Sequence, residues 1–192
     1  MELRTERLAW GSVALEPIEE RHREALRAAT NADPDIWPLY PYSMVDPHFD
    51  AFWTGLRARQ ASGVAMPFAV RRDGECIGIS CYLNIDAAQD SLEIGGTYYR
   101  PDTRGGVVNP AAKLLLLGHA FASGARRVSF KVDAINARSR AAVLKLGAVQ
   151  EGILRQDRVT WTGRVRDTVV FSVLRDEWPA AEAGLLERLG AP

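Results

Sequence analysis

The chain has 192 residues, 47% hydrophobic and 25% charged, with 24 basic and 24 acidic side chains and a formal net charge of zero. That length fits one domain spanning 1–192, able to bury about 70% of its unfolded surface without disulfide or metal staples. The composition excludes disordered and collagen-like chains, and the balanced charge excludes a nucleic-acid binder that works by bulk basicity.

The start, MELRTERLAW, is charged from its second residue and shows no signal-peptide pattern. The longest apolar run, Leu114 to Leu117, is far short of the ~20 residues that span a bilayer. A cytoplasmic protein with no membrane partner is expected. Leu8 to Leu15 alternates and predicts a strand, and Ile18 to Thr30 has apolar positions at helical spacing. The segment NADPDIWPLYPYSMVDPH, with four prolines, predicts a loop; its aromatics Trp37, Tyr40 and Tyr42 make it more than a linker. Phe49 to Ala61 predicts a second helix, with Phe52, Trp53 and Leu56 facing inward. The acidic residues Asp33, Asp35, Asp46 and Asp50 in this region hint at a cationic ligand nearby.

Pro67–Val70, Cys76–Ile85 and Ser91–Tyr99 predict three strands, the first two joined at Arg72-Asp73-Gly74. Cys76 and Cys81 lie five apart in one strand, so simple alternation points them to opposite faces as free thiols. Pro110–Ser123 predicts a helix stopped at Gly124, followed by a strand at Val128–Val132 and a helix at Ala137–Leu146 stopped at Gly147. Two strands near Val149–Thr160 and Val165–Leu174 and a helix from Pro179 to Leu189 complete an α/β chain with a mixed sheet. The three histidines and two cysteines have no metal-ligand spacing, so no metal is expected.

Charge is unevenly spread. Residues 100–145 carry Arg100, Arg104, Lys113, Arg126, Arg127, Lys131, Arg138, Arg140 and Lys145 against Asp102 and Asp133, a local excess of +7. Just before this stretch a strand ends at Tyr98-Tyr99, and within it Gly105-Gly106 allow a tight turn and a helix begins near Asn109-Pro110. Asn109 is expected as the N-cap and Pro110 as the first helical residue. The start of that helix offers unpaired N–H groups and a partial positive charge, which suits a phosphate. Neither the dinucleotide G-x-G-x-x-G pattern nor the phosphate loop G-x-x-x-x-G-K-[ST] is present. Further on, Asn136 stands where a strand meets a helix, as a cap or as a polar group at a cleft edge, with Ser139 one turn later.

These residues, taken in order, resemble the GCN5-related N-acetyltransferase superfamily, in particular its branch of ribosomal-protein N-terminal acetyltransferases (RimJ/RimL-like). The resemblance runs through Thr5-Glu6-Arg7-Leu8, Leu15-Glu16-Pro17-Ile18, Leu92-Glu93-Ile94-Gly95-Gly96-Thr97-Tyr98, the glycine loop, Asn109-Pro110-Ala111-Ala112-Lys113, Asn136-Ala137-Arg138-Ser139, Leu146-Gly147-Ala148 and Glu151-Gly152. It implies a mostly antiparallel mixed sheet with a splayed central strand and flanking helices. It also implies transfer of an acetyl group from acetyl-coenzyme A to an amine-bearing acceptor, a small molecule or a protein N-terminus. The diphosphate would lie on Arg104, Gly105, Gly106, Val107, Val108 and Asn109, the pantetheine arm along Thr97, Tyr98 and Tyr99, and Asn136 would hold the arm near its thioester. A homodimer is common in the family.

The loop departs from the family's R/Q-x-x-G-x-G/A by Val107 for a glycine and Asn109 for the last small residue. Val143 stands where many members carry a tyrosine acid, and Arg158 where the branch carries a glutamate. Ser139 is then the remaining candidate proton donor to the departing thiolate, as in the ribosomal-protein branch, and Glu93, on the strand that should line the acetyl end, is either the base, directly or through a water, or a structural carboxylate. Trp37, Tyr40 and Tyr42 are the candidate acceptor-binding aromatics. The same departures would suit a non-catalytic acyl-coenzyme A binding module.

Overall fold

The computed structural model describes residues 1–190, and one eight-stranded sheet organises them. In chain order the strands are β1 (Leu8–Trp10), β2 (Val13–Pro17), β3 (Ala65–Arg72), β4 (Glu75–Asp86), β5 (Ser91–Tyr99), β6 (Arg127–Asp133), β7 (Val149–Val159) and β8 (Val165–Leu174). The helices are α1 (Arg23–Asn31), α2 (Phe49–Ala61), α3 (Val108–Ala122), α4 (Ala137–Leu144) and α5 (Trp178–Arg188). Strand order is β1-β2-β3-β4-β5-β6-β8-β7, antiparallel throughout except for the parallel pair β5–β6. No helix is long and apolar enough to cross a membrane among the described residues.

The single strand expected over Leu8–Leu15 is a hairpin instead. Gly11, at φ +53°, turns the chain between β1 and β2, and apolar alternation on either side conceals the turn. Asp73 and Gly74, at φ +50° and +85°, make the tight β3–β4 turn, as an Asp-Gly pair favours.

Two cores flank the sheet. One packs α3 and α5 against Leu15, Phe68, Tyr82, Leu92, Ile94, Tyr99 and Phe171; the other packs α1, α2 and the proline-rich segment against Ile79, Cys81 and Tyr98. Cys76 and Cys81 are free thiols that both pack on the second core, against the expectation of opposite faces. The reason is a bulge: β3 pairs Val70 with Gly78 but Arg71 with Cys76, so Ile77 is an extra residue that flips the alternation.

The β4–β5 pairing carries two further irregularities. Ile79 faces Tyr98, Cys81 faces Gly95, Leu83 faces Glu93, and Asp86 faces Ser91, so the register slips once near Gly96 and once near Asn84. Both residues take positive φ, +59° and +49°. As a result Leu92 and Ile94 point to the α3 side, and beyond Gly96 it is Tyr99 that does so while Tyr98 points to the α1–α2 side.

Between β5 and β6 only Ser91–Arg127, Leu92–Val128 and Glu93–Ser129 pair. Beyond Glu93 the strands diverge, and β5 continues to Tyr99 paired with β4 alone. The splayed central strand implied by the resemblance is thus present, its vertex at Glu93.

Candidate functional site

Three features converge on this splay: the C-terminal half of β5, the turn leading into α3, and the start of α4. Tyr98 directs its carbonyl toward β4, since a Cβ on Gly78 would stand 2.0 Å from it. Thr97 and Tyr99 therefore aim their main-chain groups at the gap, because direction alternates along a strand. Their carbonyls already accept hydrogen bonds, Thr97 from the Tyr40 hydroxyl (2.7 Å) and Tyr99 from Arg104 Nε (2.7 Å). Their N–H groups are the donors left to meet an extended ligand.

The turn before α3 is an open cradle. Gly105 has φ +79°, and a Cβ on Gly105 or Gly106 would meet nothing within 4 Å. The helix starts two residues earlier than expected: Val107 is the N-cap and Asn109 lies in the first turn, so Asn109 does not cap. The positive φ of Gly105 brings Val107 into helical geometry early, and Pro110 is tolerated because a first-turn N–H has no intrahelical acceptor. Among the described residues, no hydrogen bond is donated by the main-chain N–H of Gly105, Gly106, Val107, Val108 or Asn109. Val107, 43% exposed, holds its side chain in solvent. Five consecutive donors at a helix N-terminus form a concave site for an anion.

The basic residues do not serve this cradle as their number suggests. Arg104 turns away from it, pairing with Asp33 at 2.7 Å and lying over the Tyr98 ring at 5.3 Å. Arg100 pairs with Asp102 and Glu75, Arg127 with Glu151, and Lys131 with Glu93. Arg126 donates to the Gln89 carbonyl and Arg140 to that of Ala134. Of the nine, Arg138 and Lys145 alone have no ion pair or side-chain hydrogen bond among the described residues. Lys113 is buried without a carboxylate; its Nζ donates to Thr97 Oγ1 (2.9 Å) and Ser80 Oγ (3.4 Å), and burial pushes its pKa down to about 7. Neither its burial nor its partners were legible in the sequence.

At the start of α4, Asn136 is the N-cap: its Oδ1 accepts from the Ser139 N–H at 3.0 Å. The cap leaves the Asn136 amide NH2 as a donor, and the Ser139 hydroxyl is half-buried one turn along. Glu93, 7% exposed, sits at the vertex of the splay. One carboxylate oxygen accepts from Asn84 Nδ2 (2.9 Å) and lies 3.5 Å from Lys131 Nζ; the other lies against Gly95. Asn84 itself takes the left-handed backbone conformation, at φ +49°.

On the α1–α2 side, beside Gly96, lies a cavity of about 380 Å³. Tyr42 lines it, its hydroxyl 3.1 Å from where a Cβ on Gly96 would stand. Tyr40 braces β5 from outside this cavity, and Trp37 is fully buried, stacked on Tyr98 at 4.9 Å. The remaining lining includes His48, Phe52, Arg59, Cys81, Leu83 and Trp161; Trp161 and Arg59 carried no signal in the sequence that marked them as site residues. Of the four carboxylates that hinted at a cationic ligand, three are spent elsewhere, Asp33 on Arg104, Asp46 on Arg27 and Asn31, and Asp50 on Arg23 and Arg27, and the fourth, Asp35, does not line the cavity.

Residues 12–149 match the family model of the Acetyltransferase (GNAT) domain. No curated protein matches the chain. Among solved structures, a T. thermophilus protein designated an acetyltransferase is 35% identical, with a TM-score of 0.87, over 98% of this chain and 100% of that one. A GCN5-related N-acetyltransferase from Brucella melitensis is 28% identical over 97% and 86% of the two chains, with a TM-score of 0.88. Mycobacterium smegmatis RimJ, solved in complex with CoA-disulfide, is 26% identical over 99% and 98%, with a TM-score of 0.84. The open amide cradle, the splayed strand and a family match over most of its length place this chain in the GNAT acetyltransferase family.

Proposed function

We propose that the chain moves an acetyl group from acetyl-coenzyme A to a primary amine, on a small molecule or a protein N-terminus, by direct transfer. The observation that carries this reading is the row of free N–H groups from Gly105 to Asn109 beside the gap between β5 and β6. These residues fit the diphosphate of the carrier: the donors are unpaired and the glycines leave open space before them. The N–H groups of Thr97 and Tyr99 would hold the pantetheine arm, with the Asn136 amide near its end. Bound there, acetyl-coenzyme A supplies a thioester whose carbonyl carbon the amine nitrogen attacks, forming the C–N bond as the C–S bond breaks.

The amine must lose one proton and the sulfur must gain one. Glu93 takes the proton from the acceptor, directly or through water, since its carboxylate lies at the vertex and its Gly95-side oxygen is not claimed by Asn84. Ser139, whose main-chain N–H is fixed on Asn136, presents its hydroxyl to the departing sulfur. Tyr42 lines the acceptor cavity, Tyr40 holds Thr97 in place, and Trp37 backs the strand through Tyr98. Incubation with acetyl-coenzyme A and a panel of amines and peptides, with free thiol monitored, tests the reading. Thiol release that depends on the amine is the expected result. Binding of coenzyme A without any such release would make the chain an acyl-coenzyme A binding module, and no binding at all would end both readings.

A further inference from the structure

The cavity beside Gly96 has one cationic side chain without a partner. Its walls are mostly apolar and include Phe52, Leu83 and Trp161, the last 5.1 Å from the His48 ring. Arg59, on the last turn of α2, reaches the same cavity. The neighbouring arginines are all engaged: Arg23 with Glu20 and Asp50, Arg27 with Asp50 and Asp46, and Arg57 with the Ile18 carbonyl. Arg59 has no ion pair and no side-chain hydrogen bond among the described residues. Its charge nonetheless acts on the cavity floor, drawing the Tyr42 hydroxyl and Cys81 thiol down against the upward push of burial.

No carboxylate lines this cavity. The nearest one on β5, Glu93, stands behind Gly95 at the thioester end. Arg59 lines the cavity and Glu93 does not, so a molecule reaching from the cavity toward Glu93 would meet a guanidinium and apolar walls before it met the carboxylate. We propose that Arg59 is a specificity-determining residue that selects acceptors carrying a carboxylate, held apart from the amine by an apolar body. This rests on the transferase reading above and names its substrate class. The chemistry is shared by a free apolar amino acid and by a peptide N-terminus with an acidic side chain close behind it. Arginine suits the task because its planar fork meets a carboxylate with two parallel hydrogen bonds. The volume, about 380 Å³, suits one residue-sized body more than an extended polyamine.

Calorimetry in the presence of coenzyme A tests this without requiring turnover. The ligands are N-acetyl-leucine against N-acetyl-leucinamide, and the N-acetylated amides of Leu-Glu against Leu-Gln. The wild-type chain is expected to bind the carboxylate member of one pair at least tenfold more tightly, and the pair that responds identifies the source. R59M is expected to bring that ratio below threefold and R59K to restore part of it, with circular dichroism confirming that both variants fold. Equal binding within both pairs, or a preference that survives in R59M, would overturn the assignment. Spermidine is expected to release no thiol above background; if it outpaced leucine and the acidic peptide, the assignment would also fall. Failure of every amine to release thiol would sink the transferase reading, while the binding ratios still decide what Arg59 does.

Discussion

Lys113 is the residue whose chemistry is least like its ordinary behaviour. Unfolded, its amine titrates near 10.5; folded and dry, it titrates near 7. Between those values the unfolded chain holds a proton that the folded chain has released, so stability rises with pH across the window. The slope is up to about 1.4 kcal/mol per pH unit, and below pH 7 stability lies on its lower plateau. Lys113→Met leaves Ser80 Oγ and Thr97 Oγ1 bonded to each other at 2.7 Å, so it creates no orphaned group. Thermal unfolding of that variant should show a gain over wild type at pH 7 that shrinks at pH 10; equal gains would remove the titration from the account. At the vertex, Glu93→Gln should lower kcat about 100-fold and leave KM for acetyl-coenzyme A unchanged, as loss of a general base predicts. An unchanged kcat across the pH range would take Glu93 out of the chemistry.

At the scale of single elements, α4 separates two roles of one side chain. Asn136 caps the helix through Oδ1, and its amide NH2 is the donor proposed above to hold the carrier's arm. Asn136→Asp keeps the cap and loses the donor, whereas Asn136→Ala loses both. The first should hold the melting temperature while weakening coenzyme A binding about tenfold; the second should cost a further ~1 kcal/mol of stability. If the aspartate variant bound coenzyme A as wild type does, calorimetry would leave Asn136 with the cap alone.

The extents of α2 and β5 were legible in the sequence to the residue, because helical spacing and strand-like composition end there at clear breaks. The β1–β2 turn was not, since alternation continues through it, nor was the start of α3, where Gly105 sets the backbone before Asn109 is reached. The glycine cradle was legible because its donors are local. The pairing of Arg104 with Asp33, of Lys113 with Thr97, and the arrival of Trp161 at the cavity depend on segments far apart in the chain, and local pattern carries no trace of them.

The whole molecule is two half-sheets joined by three parallel rungs. Other ties hold the halves together: Trp161 Nε1 donates to the Trp37 carbonyl at 2.9 Å and Arg164 to that of Pro38 at 3.3 Å. Trp161→Phe removes the first and should cost about 1 kcal/mol, with faster hydrogen exchange confined to the Pro34–Leu39 segment and the β7–β8 turn. Exchange that quickened evenly over the sheet would instead mean that this bond supports global stability only.

The paired slips near Asn84 and Gly96 have a consequence for how this part of the chain can change. They behave like two compensating frameshifts in a message: between them β4 and β5 are read one place out of phase, and outside them the phase is restored. Deleting Gly96 alone would remove the extra residue: Ile94, Thr97 and Tyr99 would then follow one another on the α3 side by plain alternation, with Tyr98 still on the side of Trp37. Gly96 is therefore a place where this strand can lose one residue without turning over those beyond it, whereas the loss of a regularly paired residue such as Ile94 would turn them over.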